Sequence, residues 1–290
     1  MTIRTFPTLL FTMMCTTPLC FAQTKAPTQA ACTFSFYQSR SFAAAGINDF
    51  GTLVGAAAAG KSSAGAIRWA NGAVTSVSGT TLLLGRNDAG ISIGLDQGGR
   101  PIIFRGKSIT RIGLVIGGTF YTMFAPTGVN KWGTIVGTYK DAAGVTHGFK
   151  RWGNGAGISL DYPGAKETDP VSINDDGIVV GFYSPVSPPS QPHGFIYHNG
   201  HWATLDFPNT PQYTAPTGVT NSGIVFGNTF DPFFESATTA FLYRSGRFEV
   251  IPSSQRGYVV TDAISLIRGL ILGEAVDPDG LRHPLIADCK

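Results

Sequence analysis

The feature that most constrains this sequence is a segment that recurs six times at nearly regular spacing. Each copy has a short loop followed by a Gly-x-x-x-Gly strand, and the fourth copy, Ser172 to Gly181, reads Ser-Ile-Asn-Asp-Asp-Gly-Ile-Val-Val-Gly. The first glycine of this strand stands at positions 51, 90, 133, 177, 223 and 269, so successive copies are 39 to 46 residues apart. A fixed period in this range is typical of solenoids and β-propellers.

Each copy continues with an apolar strand, a tight turn and a third strand. The turns are Asn-Gly or Ser-Gly pairs, as in Asn71-Gly72, Asn199-Gly200 and Ser245-Gly246. Asn-Gly between two β-type runs is a strong hairpin signal, because both central residues need a positive φ. Only 13 % of the residues are charged, about half of the usual ~25 %, which argues against long solvent-facing helices. We therefore expect an all-β fold with three or four antiparallel strands per copy.

The ends of the chain predict how the repeat closes. From Cys32 to Lys290 the six copies average about 43 residues, a length typical of a four-stranded propeller blade. The last copy lacks a final strand, whereas Cys32 to Tyr37 forms a spare strand ahead of the first copy. We predict a six-bladed β-propeller in which this N-terminal strand completes the last blade and leaves no open edge. Its repeats start near residues 46, 85, 128, 172, 218 and 263.

The same closure brings two cysteines together. Cys32 and Cys289 would be neighbours in the closing antiparallel pair, with Cα atoms within the roughly 4.4–6.8 Å that a disulfide requires. An oxidising compartment would then favour a bridge between them. Two alternatives stay open, since the cysteine count does not decide: a pair of free thiols, or a lipid-modified N-terminus at Cys32.

The first 22 residues have the features of a secretory signal peptide. Arg4 precedes an apolar run, and small residues stand before the predicted cleavage between Ala22 and Gln23. The run is shorter than the ~20 apolar residues that span a bilayer. The predicted organisation is a signal peptide at 1–22, a short leader at 23–31 and one propeller domain at 32–290. We expect a soluble monomer that is secreted or periplasmic. The formal net charge of +3 is too small to indicate nucleic acid or an anionic membrane as a partner.

The repeat resembles the bacterial HAF family of extracellular repeats. Units of that family carry a Gly-Ile-Asn-Asp-x-Gly-x-Ile-Val-Gly strand followed by His-Gly-Phe and Leu-Asp-x-Pro-Gly. The best matches here are Ser172 to Gly181, His193 to Phe195 and Leu160 to Gly164. Copies two and six lack the last two motifs. The resemblance covers nearly all of residues 46–290 and implies secretion and a repeat fold, without an agreed activity.

Three patterns resemble functional motifs but have a structural interpretation. Gly55 to Ser62 satisfies the phosphate-binding loop pattern, yet a strand follows it where that loop needs a helix. Gly90 to Gly94 spells a nucleophile elbow, yet it is the second copy of the repeat strand. The Asn-Asp-x-Gly loops offer about two side chains each, too few for calcium, and are read as Asx-turns. We predict no catalytic residue, no cofactor and no metal ligand.

Histidine and aromatic residues are the candidates for recognition. His147, His193 and His283 hold the same place in three copies, which favours packing common to the repeat over a metal site. The four tryptophans could stack on sugars, although large aromatic residues are more often wedged between blades. His198 and His201 flank the Asn199-Gly200 turn and would be cross-strand neighbours. The candidate binding rim consists of His198, His201, Trp202, Phe233 and Phe234.

Two function classes follow. The preferred one is a secreted, non-enzymatic propeller that recognises a glycan or a protein through blade loops or the central channel. The irregular inserts at 185–192 and 231–236 are candidates for its rim, with loop-length variation as the alternative. The second class is an exported hydrolase or lyase with its active site in the channel. Such a site should break the repeat consensus in two or three blades, at positions that converge on the axis.

Overall fold

A computed structural model contains strands and turns, and no helix in the part of the chain that it describes. The described residues are 26–36, 42–48, 50–59, 62–69, 72–186, 191–208, 213–230, 237–252, 254–255, 258–267, 270–276 and 282–289. Over these ranges nothing has the length and apolarity of a membrane-spanning helix. The predicted cleavage residues Ala22 and Gln23 lie outside them, as do Phe233 and Phe234.

The strands are short and follow one another closely. In the first half of the chain they are β1 (Thr28–Gln29), β2 (Cys32–Phe36), β3 (Phe42–Ile47), β4 (Leu53–Ala59), β5 (Ser62–Arg68), β6 (Val74–Ser76), β7 (Thr80–Arg86), β8 (Ile91–Asp96), β9 (Pro101–Arg105), β10 (Ser108–Arg111), β11 (Leu114–Ile116), β12 (Thr119–Tyr121), β13 (Phe124–Val129) and β14 (Ile135–Lys140). In the second half they are β15 (Thr146–Arg151), β16 (Gly157–Ser159), β17 (Ala165–Ile173), β18 (Val179–Pro185), β19 (His193–His198), β20 (His201–Leu205), β21 (Tyr213–Val219), β22 (Val225–Phe230), β23 (Ala237–Arg244), β24 (Arg247–Val250), β25 (Ser254–Gln255), β26 (Tyr258–Ile267), β27 (Leu270–Val276) and β28 (Arg282–Cys289).

In the described part of the chain, five blades run from residue 42 to residue 250. Each contains four antiparallel strands in chain order, and we number the blades 1 to 5: β3–β6, β7–β10, β13–β16, β17–β20 and β21–β24. The hairpin β11–β12 lies between blades 2 and 3 in the chain. The first strands of successive blades contact one another, which places them around a common centre. The prediction of an all-β propeller is therefore confirmed.

A further sheet, with strand order β2-β28-β27-β26-β25, is described mainly through its backbone pairing. Its outer strand is the N-terminal β2, which runs antiparallel to β28, as the sequence predicts. Cys32 lies directly opposite Cys289 in this pair, and Cys32 is disulfide-bonded. The assignment of Cys289 as its partner stays a prediction. Part of the predicted leader is also structured, since β1 pairs in parallel with β24 at the outer edge of blade 5.

The turn and packing signals of the repeat have direct counterparts. Asn199 and Ser245 each have a φ of 50° and precede glycines with φ of 85° and 76°, as the predicted hairpin turns require. Three phenylalanines on the third strands of blades 3 to 5 have no exposed surface: Phe149, Phe195 and Phe241. They belong to clusters of aliphatic and aromatic side chains contributed by adjacent blades. The core is therefore a set of layers between blades.

Candidate functional site

Two faces of the propeller are set by chain direction. The loops that join first to second strands, and third to fourth strands, open on one side of the molecule. We call this side the Asn-loop face, because the first of these loops begins with an asparagine in blades 1 to 4: Asn48, Asn87, Asn130 and Asn174. Thr220 takes this place in blade 5. The loops that join second to third strands, and one blade to the next, open on the opposite face.

Each loop asparagine first caps its own turn. The Oδ1 atom of Asn130 accepts hydrogen bonds from the backbone N–H of Trp132, at 3.1 Å, and of Thr134, at 3.0 Å. Gly133 ends the turn with a φ of 76°, a value that glycine adopts without steric cost. The loops of Asn48 and Asn174 show the same pair of bonds. The predicted Asx-turns are thus present.

The same asparagines also join neighbouring blades, which sequence reasoning missed. The Nδ2 atom of each donates to the backbone carbonyl of the equivalent residue in the next blade. The donor to acceptor distances are 3.4 Å for Asn48 to Asn87, 2.7 Å for Asn87 to Asn130, 3.2 Å for Asn130 to Asn174 and 2.9 Å for Asn174 to Thr220. An Asx-turn uses only the side-chain oxygen of its asparagine. Because asparagine recurs at this position in four copies, the sequence could have indicated a second role for the amide nitrogen.

A second set of bonds ties the next residue of each loop to its neighbour. The N–H of Lys131 donates to Oδ1 of Asp175 at 2.8 Å, and the N–H of Asp175 donates to Oδ1 of Asn221 at 2.9 Å. The Nζ atom of Lys131 lies 3.6 Å from Oδ2 of Asp175. These loops surround a cavity of about 300 Å³ at the centre of the Asn-loop face. Hydrogen bonds between neighbouring blades therefore run along the rim of this cavity.

Three of the four tryptophans are at least partly exposed on this same face, and the expectation that these residues wedge between blades is wrong for the most exposed of them, Trp132. Trp132 is 70 % exposed and lies in the first loop of blade 3. Trp69 and Trp152, which follow the third strands of blades 1 and 3, are 38 % and 40 % exposed. Phe50, in the first loop of blade 1, is 62 % exposed. These rings lie in loops, and the tip of a loop has no neighbouring blade above it. This position explains their exposure.

Trp132 is held in place despite its exposure. Its Nε1 donates to the backbone carbonyl of Asp175 in the next blade at 3.0 Å. The ammonium group of Lys131 lies 4.8 Å from the centre of the indole ring, within the range of a cation–π contact. A fixed, exposed indole loses little conformational entropy when a flat ligand stacks on it.

Three of the five predicted rim residues are described, and all three belong to blade 4. His198 and His201 are directly opposite each other, as expected, on the Asn-loop face of blade 4, and His198 Nε2 donates to the backbone carbonyl of Asp176 at 3.2 Å. Trp202 packs against Tyr197, with ring centres 4.6 Å apart, and against Phe195. This tryptophan is the one that fills space between strands. The inserts at 185–192 and 231–236 fall in the sequence between the second and third strands of blades 4 and 5, and residues 187–190 and 231–236 lie outside the described part of the chain.

On that opposite face, blades 3 and 4 repeat one polar cluster. His147 Nδ1 lies 3.0 Å from Oδ2 of Asp161, and its ring stacks on Tyr139 with centres 5.3 Å apart. In blade 4, His193 and Asp206 are likewise 3.0 Å apart. The His-Gly-Phe and Leu-Asp motifs are therefore joined by hydrogen bonds within each blade. No group of three or more metal-ligating side chains occurs among the described residues.

Asp169 breaks the repeat on the first strand of blade 4. It lies immediately before the residue that pairs with the glycine of the second strand. The residues at the same position in the other four blades are Ala43, Leu82, Ala125 and Ala215. Asp262 holds this register position in the further sheet. Asp169 lies two residues before Val171, which lines the cavity. Burial and the neighbouring Glu167 carboxylate raise the pKa of Asp169 to about 6.

One solved structure with a TM-score above 0.5 supports the fold. A putative gluconolactonase matches over 91 % of this chain and 94 % of its own, with a TM-score of 0.53 and 10 % sequence identity. A gluconolactonase from Xanthomonas campestris matches over 92 % and 96 %, with a TM-score of 0.48 and 13 % identity. A streptogramin B lyase matches over 92 % and 100 %, with a TM-score of 0.45 and 10 % identity. At these identities the likeness concerns the fold alone. No protein-family model and no curated protein matches the chain.

Proposed function

We propose that this protein is an exported, non-enzymatic binding propeller that recognises a glycan on the Asn-loop face of blades 1 to 3. The observation that carries the proposal is the exposure of Trp69, Trp132 and Trp152 on that one face. Indole rings offer a flat apolar surface beside a polar edge, which suits the faces and hydroxyl groups of a sugar. Inter-blade hydrogen bonds tie the loop of Trp132 to blade 4, so little order has to be gained there on binding.

The proposed ring has six blades. Its support is the further sheet, whose strand β26 contacts β21 of blade 5 on one side and β3 of blade 1 on the other. The strand β2 would then close the ring, as the repeat count predicts. Closure matters for the function, because it holds loops from non-adjacent repeats in one plane. The predicted signal peptide and the HAF resemblance support a location outside the cytoplasm, where such a monomer would meet polysaccharides.

The experiment is a screen of the purified mature chain against immobilised neutral and acidic oligosaccharides, followed by isothermal titration calorimetry on the best ligand. We expect Trp132→Ala to weaken binding about tenfold or more, since loss of a stacked ring removes of the order of 1–3 kcal/mol. The matched control is Phe120→Ala, which removes another exposed aromatic ring from the hairpin between blades 2 and 3. Absence of binding to every glycan, or equal loss in both variants, would overturn the proposal.

A second candidate is the exported hydrolase or lyase, and Asp169 is the observation that favours it. A carboxyl group with a pKa near 6 is suited to proton transfer at neutral pH. Together with Asp262 it breaks the consensus in two blades, as a channel active site would. The test is whether any glycan ligand is cleaved on long incubation, and whether Asp169→Asn abolishes cleavage without changing affinity. Intact ligand after incubation would count against this candidate.

A further inference from the structure

A groove separates the outer parts of blades 1 and 2 and opens near the Asn-loop face. Its volume is about 430 Å³, which lies in the range of small-ligand sites. Blade 1 contributes Trp69 and Thr75, and blade 2 contributes Arg86, Phe104 and Lys107. None of its described lining residues is acidic. The groove therefore combines an apolar floor with two cations.

Arg86 places a positive charge in this groove that the described carboxylates do not neutralise. Its Nη1 donates to the carbonyl of Gly90 at 3.1 Å and to the hydroxyl of Ser92 at 2.8 Å, and both acceptors are neutral. Its Nε is buried without a hydrogen-bond partner. Burial lowers the pKa of the Arg86 guanidinium. A partly buried cation with neutral partners is costly for the folded protein alone and favours an anion nearby.

Trp69 and Lys107 supply the other elements of a site. The indole lies over the guanidinium, with 5.5 Å from Cζ of Arg86 to the ring centre, and its Nε1 donates to the hydroxyl of Thr75 at 3.2 Å. The ring orientation is therefore fixed from two sides. Lys107 is exposed and lies in the two-residue turn between β9 and β10. The short turn fixes the position of its backbone, and its side chain lines the groove.

We propose that this groove binds a pyranose ring that carries a carboxylate, as a hexuronate does. The sugar ring would lie against the exposed part of Trp69, and its carboxylate would take a charge-assisted hydrogen bond from Lys107 within the field of Arg86. A neutral sugar would leave both cations without a counter-charge. This inference rests on the proposed glycan-binding function and specifies the sugar class and the subsite.

The experiment compares trigalacturonate with its fully methyl-esterified form by calorimetry on the full mature chain. The two ligands share their rings, and only the first is charged. We expect the acid to bind about tenfold or more tightly than the ester, because a charge-assisted bond is roughly twice as strong as a neutral one. Lys107→Ala should remove most of this preference, and added salt should weaken binding of the acid alone.

Lys140→Ala is the matched control, since it removes the same charge from an exposed residue at the end of β14, on the opposite face. Trp69→Ala should weaken acid and ester equally. Because both lysines are exposed, their variants should fold, which circular dichroism checks. Equal affinity for acid and ester, or equal losses in Lys107→Ala and Lys140→Ala, would overturn the subsite while glycan binding stands. No binding of any glycan in the screen would overturn the proposed function and this inference together.

Discussion

Asparagine suits the first loop position because its side chain carries an acceptor and a donor. Its oxygen satisfies two backbone N–H groups of its own turn, and its nitrogen satisfies a carbonyl of the next blade. Serine, threonine or aspartate could cap the turn, but their side chains lack the second, amide donor. Blade 5 illustrates the difference. Thr220 accepts the N–H of Ile224 at 3.0 Å, while its backbone carbonyl receives the amide of Asn174.

This division of roles predicts a graded effect at Asn130. Asn130→Thr should keep the cap and lose the bond to blade 4, lowering the free energy of unfolding by about 1 kcal/mol. Asn130→Ala should lose both and cost about 2 kcal/mol. Equilibrium urea unfolding measures both values. If the threonine variant matched the wild type, the inter-blade bond would contribute nothing to stability.

Asp169 predicts a pH effect of definite sign. Its pKa is raised to about 6 in the folded protein, above the roughly 3.9 of an unfolded chain. Between these values the folded state binds more protons, so this group lowers stability as the pH rises from about 4 to 6. Asn at this position carries no charge. We expect Asp169→Asn to raise the melting temperature at pH 7 and to leave it unchanged near pH 3.5, with the exposed Asp176→Asn as control. A lower melting temperature at pH 7 would contradict the pKa assignment.

At the scale of the strand, the His-Gly-Phe motif is explained by how closely blades approach. A Cβ atom on Gly148 would lie 2.9 Å from the ring of Pro170, which belongs to the first strand of the next blade. Gly194 and Pro216 repeat this contact one blade later, at 3.0 Å. The glycine of the third strand and the proline of the next first strand therefore form one packing unit. The phenylalanine that follows the glycine fills the layer beside them.

Gly148→Ala tests this packing unit. The added methyl group meets the proline ring and the backbone carbonyl of Leu160, so we expect a loss of about 1–3 kcal/mol in the free energy of unfolding. The matched control is Gly153→Ala, because a Cβ there has open space and should change stability by less than about 0.5 kcal/mol. Denaturant titration of both variants decides the matter. Equal stabilities of the two variants would mean that neighbouring blades can move apart to admit a methyl group without loss of stability.

The sequence predicted the elements of the repeat better than the contacts between them. Hairpin turns such as Asn199-Gly200 and the closing strand β2 follow from local chemistry and from counting strands. The hydrogen bond from the Asn130 amide to the next blade does not follow from them, because the sequence of one repeat does not show which atoms of the neighbouring repeat lie beside it. The size of the Trp132 side chain favours packing between blades. Its exposure, however, depends on what lies above the tip of its loop. Asp169 gives no such signal, because it precedes the loop motif that defines the repeat.

At the scale of the molecule, stability depends on how the first and last strands meet. Blades 2 to 4 are each held on both sides by a neighbouring blade, whereas the sheet proposed to close the ring is assembled from residues at the two ends of the chain. The pair β2–β28 closes a loop of more than 250 residues. Loop-closure entropy grows slowly with length, so a covalent link across so long a loop constrains the unfolded chain strongly.

Removal of the predicted Cys32–Cys289 link tests this closure. Cys32→Ala should lower the free energy of unfolding by about 2–4 kcal/mol, mainly because the unfolded chain regains freedom. Cys289→Ala should cost the same, and the double variant no more than either single one, since all three lack one and the same bond. A reducing agent should destabilise the wild type to the level of the variants and leave the variants unaffected. A non-reducing peptide map should yield the two terminal peptides as one linked species. Recovery of these peptides unlinked, or additive losses in the double variant, would show that Cys32 and Cys289 are not bonded to each other.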